Sequence, residues 1–395
     1  MPLGSLIFDR SGNLYGTTSA GGSAPACVSA GGCGTVFEIS QNPDGSWTNT
    51  VLYSFCSNFV NNFCLDGQDP VAGLVFDSAG NLYGTTKGGG SQSCSNGLTG
   101  CGIAFELSPP SSPGGAWTET ALYSFCANDV NGACLDGAEP ASQLAIDASG
   151  NLFGTTTTGG TGGTRNDCCA GGTVFEMSRA VGGWTHNVLY NFCATGGTIC
   201  PDGAGPQAGV IFDKAGNLYG TTESGGSTKG QGAGTVYELL HGTNGWTETV
   251  LYSPRLCCNG GAGPVGTVSF DVLGSLYTTF PFGGPDNVGG VFKLSSAGVP
   301  SAFLFNGKDG QMPMAGVLVD SKHATLYGTT YAGGAKNGGT VFNIAAPAQE
   351  TVLYSFCSQP NCADGSGPVA GLVRQVGKSI RGHEAGRHQR RWSCF

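Results

Sequence analysis

Charge and histidine are what this chain has least of. Only 11% of its 395 residues are Asp, Glu, Lys or Arg, and five are His. Three of the five, His186, His241 and His323, lie in the body of the chain, near predicted strand turns and away from its long loops. A Ser-His-Asp site or a His-ligated catalytic zinc needs His among loops that can converge. No Gly-x-Ser-x-Gly elbow is present either. No apolar run reaches the length of a membrane-spanning helix. No window carries a helical period closed by caps. Gly-rich stretches such as Gly88–Gly90 open no helix, which removes the usual phosphate or dinucleotide cradle. The net charge of −9 argues against a nucleic-acid partner.

Glycine, by contrast, is abundant at 71 residues, and much of it sits in a phrase that recurs six times. The phrase passes from a short apolar segment through Asp and a Gly-Asn turn into Leu-Tyr-Gly-Thr-Thr. It reads SLIFDRSGNLYGTT from Ser5, GLVFDSAGNLYGTT from Gly73, QLAIDASGNLFGTT from Gln143 and GVIFDKAGNLYGTT from Gly209. Looser copies are TVSFDVLGSLYTTF from Thr267 and GVLVDSKHATLYGTT from Gly316. Such repetition fixes the architecture before any single motif is weighed.

Each copy divides into four short segments rich in Val, Ile, Leu, Phe, Tyr and Thr. In the second they are Gly73–Asp77, Asn81–Thr86, Ile103–Leu107 and Thr118–Phe125, bounded by Gly, Pro, Asn or Ser as strands are. In the Asp-Ser-Ala-Gly-Asn link, Asp can bond the backbone two residues on and Gly supplies a positive φ, which makes a hairpin turn. The expected fold class is all-β: a β-propeller of six four-stranded blades, natively as many as seven, with an irregular C-terminal tail. One domain covers residues 1–373, six repeats and the start of a seventh. A blade cannot cover both of its faces alone. Trp47, Trp117, Trp184 and Trp246, just ahead of the fourth strands, are therefore expected to pack blade on blade.

Seventeen cysteines speak for an oxidising compartment. Most fall into short-range pairs: Cys27/Cys33, Cys56/Cys64, Cys94/Cys101, Cys126/Cys134, Cys193/Cys200 and Cys357/Cys362. Cys168-Cys169 and Cys257-Cys258 are adjacent couples, and either couple could close a vicinal disulfide. Zinc is the rival reading, but Cys-x5-7-Cys spacing without nearby His fits it poorly. Each bridge closes a small loop, worth about 2–3 kcal/mol in the chain-entropy model, so the bridges pin loops and do not hold the fold.

Residues 374–395 break the pattern. After Pro368–Val373 the chain becomes RQVGKSIRGHEAGRHQRRWSCF, with six of the 17 Lys and Arg. Without this tail the body holds 11 basic and 25 acidic residues, a charge of −14. A solvated basic tail is one reading. The genetic code supplies a sharper one. Codons permitted from Val373 onward, read one base later, translate as Phe-Asp-Arg-Ser-Gly-Asn-Leu-Tyr, which is the repeat phrase. The tail is thus expected to be an out-of-frame translation of a seventh repeat, and the nucleotide sequence decides it. Met1–Gly4 runs into the first strand without a signal peptide, in keeping with a gene cut or misread at both ends.

Strand alternation puts the Asp-x-x-Gly-Asn turns at one end of the ring, and the long cysteine-bearing loops at the other. A ligand site is expected at the loop end, near the central channel. That end carries Asp-Gly-x-x-Pro five times, with Asp66, Asp136, Asp202, Asp309 and Asp364 before Pro70, Pro140, Pro206, Pro313 and Pro368. Asp69 and Glu139 add acids within the same phrase. Turn chemistry explains the motif: Asp bonds backbone, Gly takes the left-handed position and Pro starts the strand. The functional alternative is a ring of carboxylates that could take saccharide hydroxyls or Ca²⁺, or act as acid and base on a glycosidic bond. No complete Asp-x-Asp-x-Asp-Gly loop with its distal Glu supports Ca²⁺, and no other cofactor is expected.

The phrases GNLYGTT with a following Gly-Gly (Gly80–Thr86, Gly88-Gly89), GTVFEMS (Gly172–Ser178) and TVLYSF (Thr351–Phe356) resemble the GloVer, or Gloeo/Verruco, tandem-repeat exported proteins. The resemblance covers about residues 3–373. It implies a secreted or surface-anchored bacterial protein, often with a separate C-terminal anchor, and no agreed activity. The strand pattern is also similar to that of NHL-type propellers. The first functional expectation is an exported binding or interaction module, monomeric, for extracellular glycans or surface proteins. The second is a polysaccharide-active hydrolase or lyase using loop-end acids, and the third a purely structural surface component. Repeated acids and scarce His favour binding or structure over catalysis. The fifth repeat, with Arg255, Cys257-Cys258 and Phe280-Pro281-Phe282, is the nearest break in the symmetry.

Overall fold

β-Branched and aromatic residues alternating between Gly-rich turns fold into short antiparallel strands throughout this chain. In the computed structural model these are six four-stranded sheets, each paired in chain order. The structure describes residues 2–375 apart from 28–30, 95–99, 113, 131–132, 162–170, 195–199, 227–231, 244, 255–260, 321, 323 and 346–348. The couples Cys168-Cys169 and Cys257-Cys258, Arg255, His323 and residues 376–395 lie outside the described residues.

The second blade shows the plan, with strands Val75–Phe76, Leu82–Thr86, Ile103–Ser108 and Thr118–Ser124. The turn between its first two strands is built as its sequence requires. Asp77 accepts from the Ala79 and Asn81 backbone N–H groups and from the Asn81 amide, all at 2.8–2.9 Å, and from the Tyr83 hydroxyl at 3.1 Å. Burial alone would raise the Asp77 pKa, but these donors hold it below the usual carboxylate range. Gly84 in Leu-Tyr-Gly-Thr-Thr has a different duty. A Cβ there would sit 2.7 Å from the Phe105 ring and 2.9 Å from Leu74, so only Gly lets the strands close.

Successive blades share their cores. Phe55 of the first blade meets Phe105 of the second edge to face, with ring centres 5.0 Å apart. Phe125–Phe175, Phe192–Tyr237 and Phe305–Phe342 repeat the contact at 5.1, 4.9 and 5.0 Å. Each such pair contributes about 0.5–1.5 kcal/mol beyond the area it buries. At the fourth-to-fifth boundary Pro254 stands in the Phe position, and Tyr252 stacks on Phe292 instead. The indoles also pack blade on blade, as expected: Trp117 beside Tyr15, Trp184 against Tyr83 and Trp246 on the core holding Phe153.

A threonine of each second strand ties its blade to the next. Thr17 donates to the Ala72 carbonyl, Thr85 to Ser142, Thr155 to Ala208 and Thr279 to Ala315, at 2.7–3.2 Å. Thr329 of the sixth blade makes the same bond to Ala370 at 2.9 Å. On its other side Gly371 N donates to Ser5 Oγ at 3.1 Å, and Val373 packs with Leu6, Phe8 and Trp47. The segment 368–373 therefore stands to the sixth blade as the start of every blade stands to the one before it.

Candidate functional site

All six short-range cysteine pairs are disulfides: Cys27–Cys33, Cys56–Cys64, Cys94–Cys101, Cys126–Cys134, Cys193–Cys200 and Cys357–Cys362. All lie in the loops joining second to third strands or fourth strands to the next blade. The sulfurs of Cys27, Cys33, Cys56 and Cys64 gather within 4.8 Å of one another. Two disulfides of the first blade thus abut and clamp its two long loops together. Paired sulfurs offer no thiolate to a metal. No helix among the described residues is long and apolar enough to cross a membrane.

Several of these cysteines do more than pin a loop. Cys200 is buried with Cys193 and Ala204, and its carbonyl accepts from the Gly203 and Gly226 N–H groups. The Cys64 carbonyl accepts from Gly67 and Gly90 and the Cys134 carbonyl from Gly137 and Gly160 in the same way, so each of these three bridges reaches the loop after the next blade's second strand. Cys362 ends a single 3-10 turn, Pro360–Cys362, where the sequence predicts only loop. Pro360 fixes the φ that opens the turn, and Cys362 leaves it at a φ of +53°. The Cys362 carbonyl then accepts from Gly365 N–H at 2.8 Å, which sets the bend at Asp364.

The Asp-Gly-x-x-Pro acids divide by geometry. Asp66 is buried and accepts from the Tyr53 hydroxyl at 2.6 Å and the Ser57 N–H at 2.8 Å. Asp136 is also buried and accepts from the Tyr123 hydroxyl at 2.6 Å and from Ala127 and Asn128 N–H. Asp202 takes Tyr190 and Cys193 N–H, and Asp364 takes Tyr354, Ser358 and Gln359 N–H. In these four blades the end of the fourth strand and the loop that follows supply the donors, which is the turn role. Asp309, where Phe303 replaces the tyrosine, keeps only a bond from Asn306 N–H among those formed by the tyrosine-anchored blades. The tyrosine partner was missed in the sequence. Its signal was there, since Leu-Tyr-Ser-Phe-type segments precede each anchored Asp by 10–13 residues.

The second variable residue of the same phrase has a distinct placement. Asp69 and Glu139 hold φ of +57° and Met312 +56°, while the equivalent residues elsewhere are Gly205, Gly263 and Gly367. A side chain at that φ costs about 1 kcal/mol or more, and such outliers cluster where function needs them. The backbone of each joins two blades. Asp69 N donates to Cys33 O of the preceding blade, while Asp69 O accepts from Lys87 N of its own. Glu139 and Met312 repeat the pattern with Thr157 and Tyr331.

Two positions per blade thereby form a loop-end rim whose chemistry changes from blade to blade. Lys87 reaches Glu139 of the next blade at 3.6 Å. Burial raises the Asp69 pKa, against the pull of Lys87. Gln207 donates to Glu223 further round. Tyr331 is 45% exposed beside Gly367. The rim thus offers acids, an amide, a cation and one open aromatic face on a rigid base.

A second set of titratable groups escaped the sequence reading. Glu119, Glu248 and Glu350 occupy one position in three fourth strands, opposite Leu107, Leu239 and Ile344. Each has a buried carboxyl oxygen with no hydrogen-bond partner. Burial first, then the charge of Asp66, Asp202 or Asp309 of the preceding blade, pushes them up to about 8, 7 and 7. The third blade carries His186 there, stacked flat on Tyr123 at 4.3 Å, and burial pushes it down to about 4 despite Asp136. His186 is thus a packed inter-blade residue, some way into its strand from the turn where the sequence set it. His241 stacks on Trp246 at the turn end.

A model of the Gloeobacter/Verrucomicrobia repeat matches residues 1–200 and again 170–390. No match is found among curated proteins. Among solved structures, the chain is similar to a putative 6-phosphogluconolactonase from Bacteroides fragilis at 13% identity and a TM-score of 0.51, covering 94% of this chain and 86% of that one. A putative 6-phosphogluconolactonase from Bacteroides uniformis gives 11% identity and the same TM-score, covering 89% and 83%. At such identity the likeness shows the fold alone.

Proposed function

The chain belongs to the Gloeobacter/Verrucomicrobia repeat family, and from that premise we propose that it is an exported β-propeller that binds extracellular glycans or surface proteins through its loop-end rim. The observation that supports this reading most is the contrast between the two ends of the ring. The turn end repeats one Asp-anchored hairpin. The loop end is pinned by six disulfides and varies along the ring, with Asp69, Glu139 and Met312 at the position that glycine fills in the other three blades. Disulfides fit an oxidising, extracellular setting. Variable residues on a fixed scaffold are how rigid folds recognise ligands.

Saccharides are the ligand class that the rim chemistry favours. Asp69, Gln207 and Glu223 can accept or donate to hydroxyl groups, the open face of Tyr331 can take a sugar ring, and buried Glu139 holds Lys87 in place beside them. Asp309 is the phrase acid least engaged by its own loop, and it joins the rim on this reading. Ca²⁺ could bridge rim carboxylates to a glycan, since it wants several hard oxygens. The raised glutamates supply the strongest argument for a hydrolase, because an acid held protonated beside a second carboxyl group is the glycosidase pairing. Against it, the arrangement recurs in three blades inside the packing between them.

The test is incubation of oxidised protein with a panel of plant and microbial polysaccharides. Loss of protein onto the polymer and release of new sugar ends are both followed. Depletion without release is expected. Release would move the assignment to the hydrolase, and neither would leave a protein partner or a structural role.

A further inference from the structure

The boundaries on both sides of the fifth blade lack an indole, and at the fifth-to-sixth boundary that gap meets a cation in one space. At the second-to-third boundary Trp184 closes the turn end, packed with Tyr83, Ile146, Leu152 and Met177. The sixth blade carries Ala348 at the matching sequence position. The residues equivalent to those four neighbours are Tyr277, Val319, Leu326 and Ile344, and all four line a cavity of about 390 Å³. An alanine side chain carries too little volume to fill the space that an indole fills.

The wall of this cavity also changes sign. The third-strand residue paired with the tyrosine is Glu38, Glu106 or Glu238 in the first, second and fourth blades, and Lys293 in the fifth. Lys293 Nζ lies 5.3 Å from the centre of the Tyr277 ring. Asp271 lines the same cavity, but its carboxylate is taken by the Leu273 and Ser275 N–H groups and the Tyr277 hydroxyl. At the lip stand Val272 and Leu273, 74% and 76% exposed. An apolar slot with one cation and an aromatic wall, of a few hundred Å³, has the form of a small-molecule site.

We propose that this cavity binds a small planar aromatic carboxylate. Its ring takes the place of the missing indole against Tyr277 and Leu326, and its carboxylate pairs with Lys293. The site lies at the turn end of the ring, opposite the loop-end rim, and does not depend on the function proposed for that rim.

The probe is indole-3-acetate, titrated calorimetrically into the oxidised full chain, with neutral indole and cationic tryptamine as comparisons. Saturable binding of indole-3-acetate is expected, with indole about tenfold weaker, the loss of one charge-assisted contact. Lys293→Glu restores the residue of the first four blades and should weaken indole-3-acetate by at least that factor. Ala345→Trp, at a described residue that lines the cavity, should abolish binding, because it fills the slot from within. Absence of saturable binding to the wild-type chain overturns the proposal. So does equal binding of all three probes, or affinity unchanged in whichever of the two variants folds.

Discussion

The Tyr53 hydroxyl donates to Asp66 Oδ2 at 2.6 Å, joining the end of one fourth strand to the loop that leads into the next blade. The bond recurs as Tyr123–Asp136, Tyr190–Asp202 and Tyr354–Asp364. Asp66→Ala leaves the phenol and the Ser57 N–H without their acceptor, at a cost of about 2–3 kcal/mol. Tyr53→Phe removes a single bond and should cost about 1 kcal/mol. Urea unfolding of both variants checks the order. Ligand binding by the folded variants should equal that of the wild type, because these carboxylates serve the turn.

Stability should fall as pH rises from about 5 to 8. Glu119, Glu248 and Glu350 have folded pKa values of about 8, 7 and 7 against 4.5 when unfolded. Between those limits the unfolded chain ionises while the folded chain holds its protons, so rising pH favours unfolding. His186, at about 4 folded against 6.5 unfolded, works the other way: falling pH costs stability between those values. One histidine offsets part of what three glutamates contribute. Glu119→Gln should therefore raise the melting temperature at pH 8 and leave it nearly unchanged at pH 4.5. The gain at pH 8 is on the order of 2 kcal/mol once partial exposure is discounted.

Reduction should loosen the loop end and spare the sheets. The six bridges span only five to eight positions of sequence. Dithiothreitol is expected to lower the melting temperature while the strand signature in far-ultraviolet circular dichroism persists at 25 °C. Hydrogen exchange should rise in the stretches 56–64 and 126–134 and stay slow in Ile103–Ser108. Loss of the sheet signal on reduction would make the bridges holders of the fold.

The repeated phrase made most of this architecture legible. Asp77, Gly80 and Asn81 encode their turn locally, and Gly84 betrays a close approach because glycine otherwise only weakens a strand interior. The cysteine pairs were readable from spacing because each partner sits a few residues away. Their surroundings were not: the core around Cys200 and the turn ending at Cys362 depend on what the neighbouring loops set against them. What stayed hidden otherwise lies between blades. Glu119 looks like a solvent-facing strand residue until the preceding blade sets Asp66 beside it. The turn role of Asp66 was legible, but its phenolic partner was not, because Tyr53 belongs to the strand before the loop. The cavity on Tyr277 is likewise visible only when the sixth blade brings Leu326 and Ile344 without an indole. Periodicity reports what a residue does within its own repeat, and it is silent on what the ring sets opposite.

Binding at the rim is the central claim, and one comparison tests it most directly. The wild-type chain and the double variant Asp69→Asn, Tyr331→Ala are mixed in oxidised form with the polysaccharide that retains the wild type best, and protein left in solution is measured. Both residues lie on the rim and outside the blade cores, so the variant should fold with a melting temperature within a few degrees of the wild type. The account predicts retention of the wild type, at least tenfold weaker retention of the variant, and no new sugar ends from either. Equal retention of the two folded proteins would contradict it.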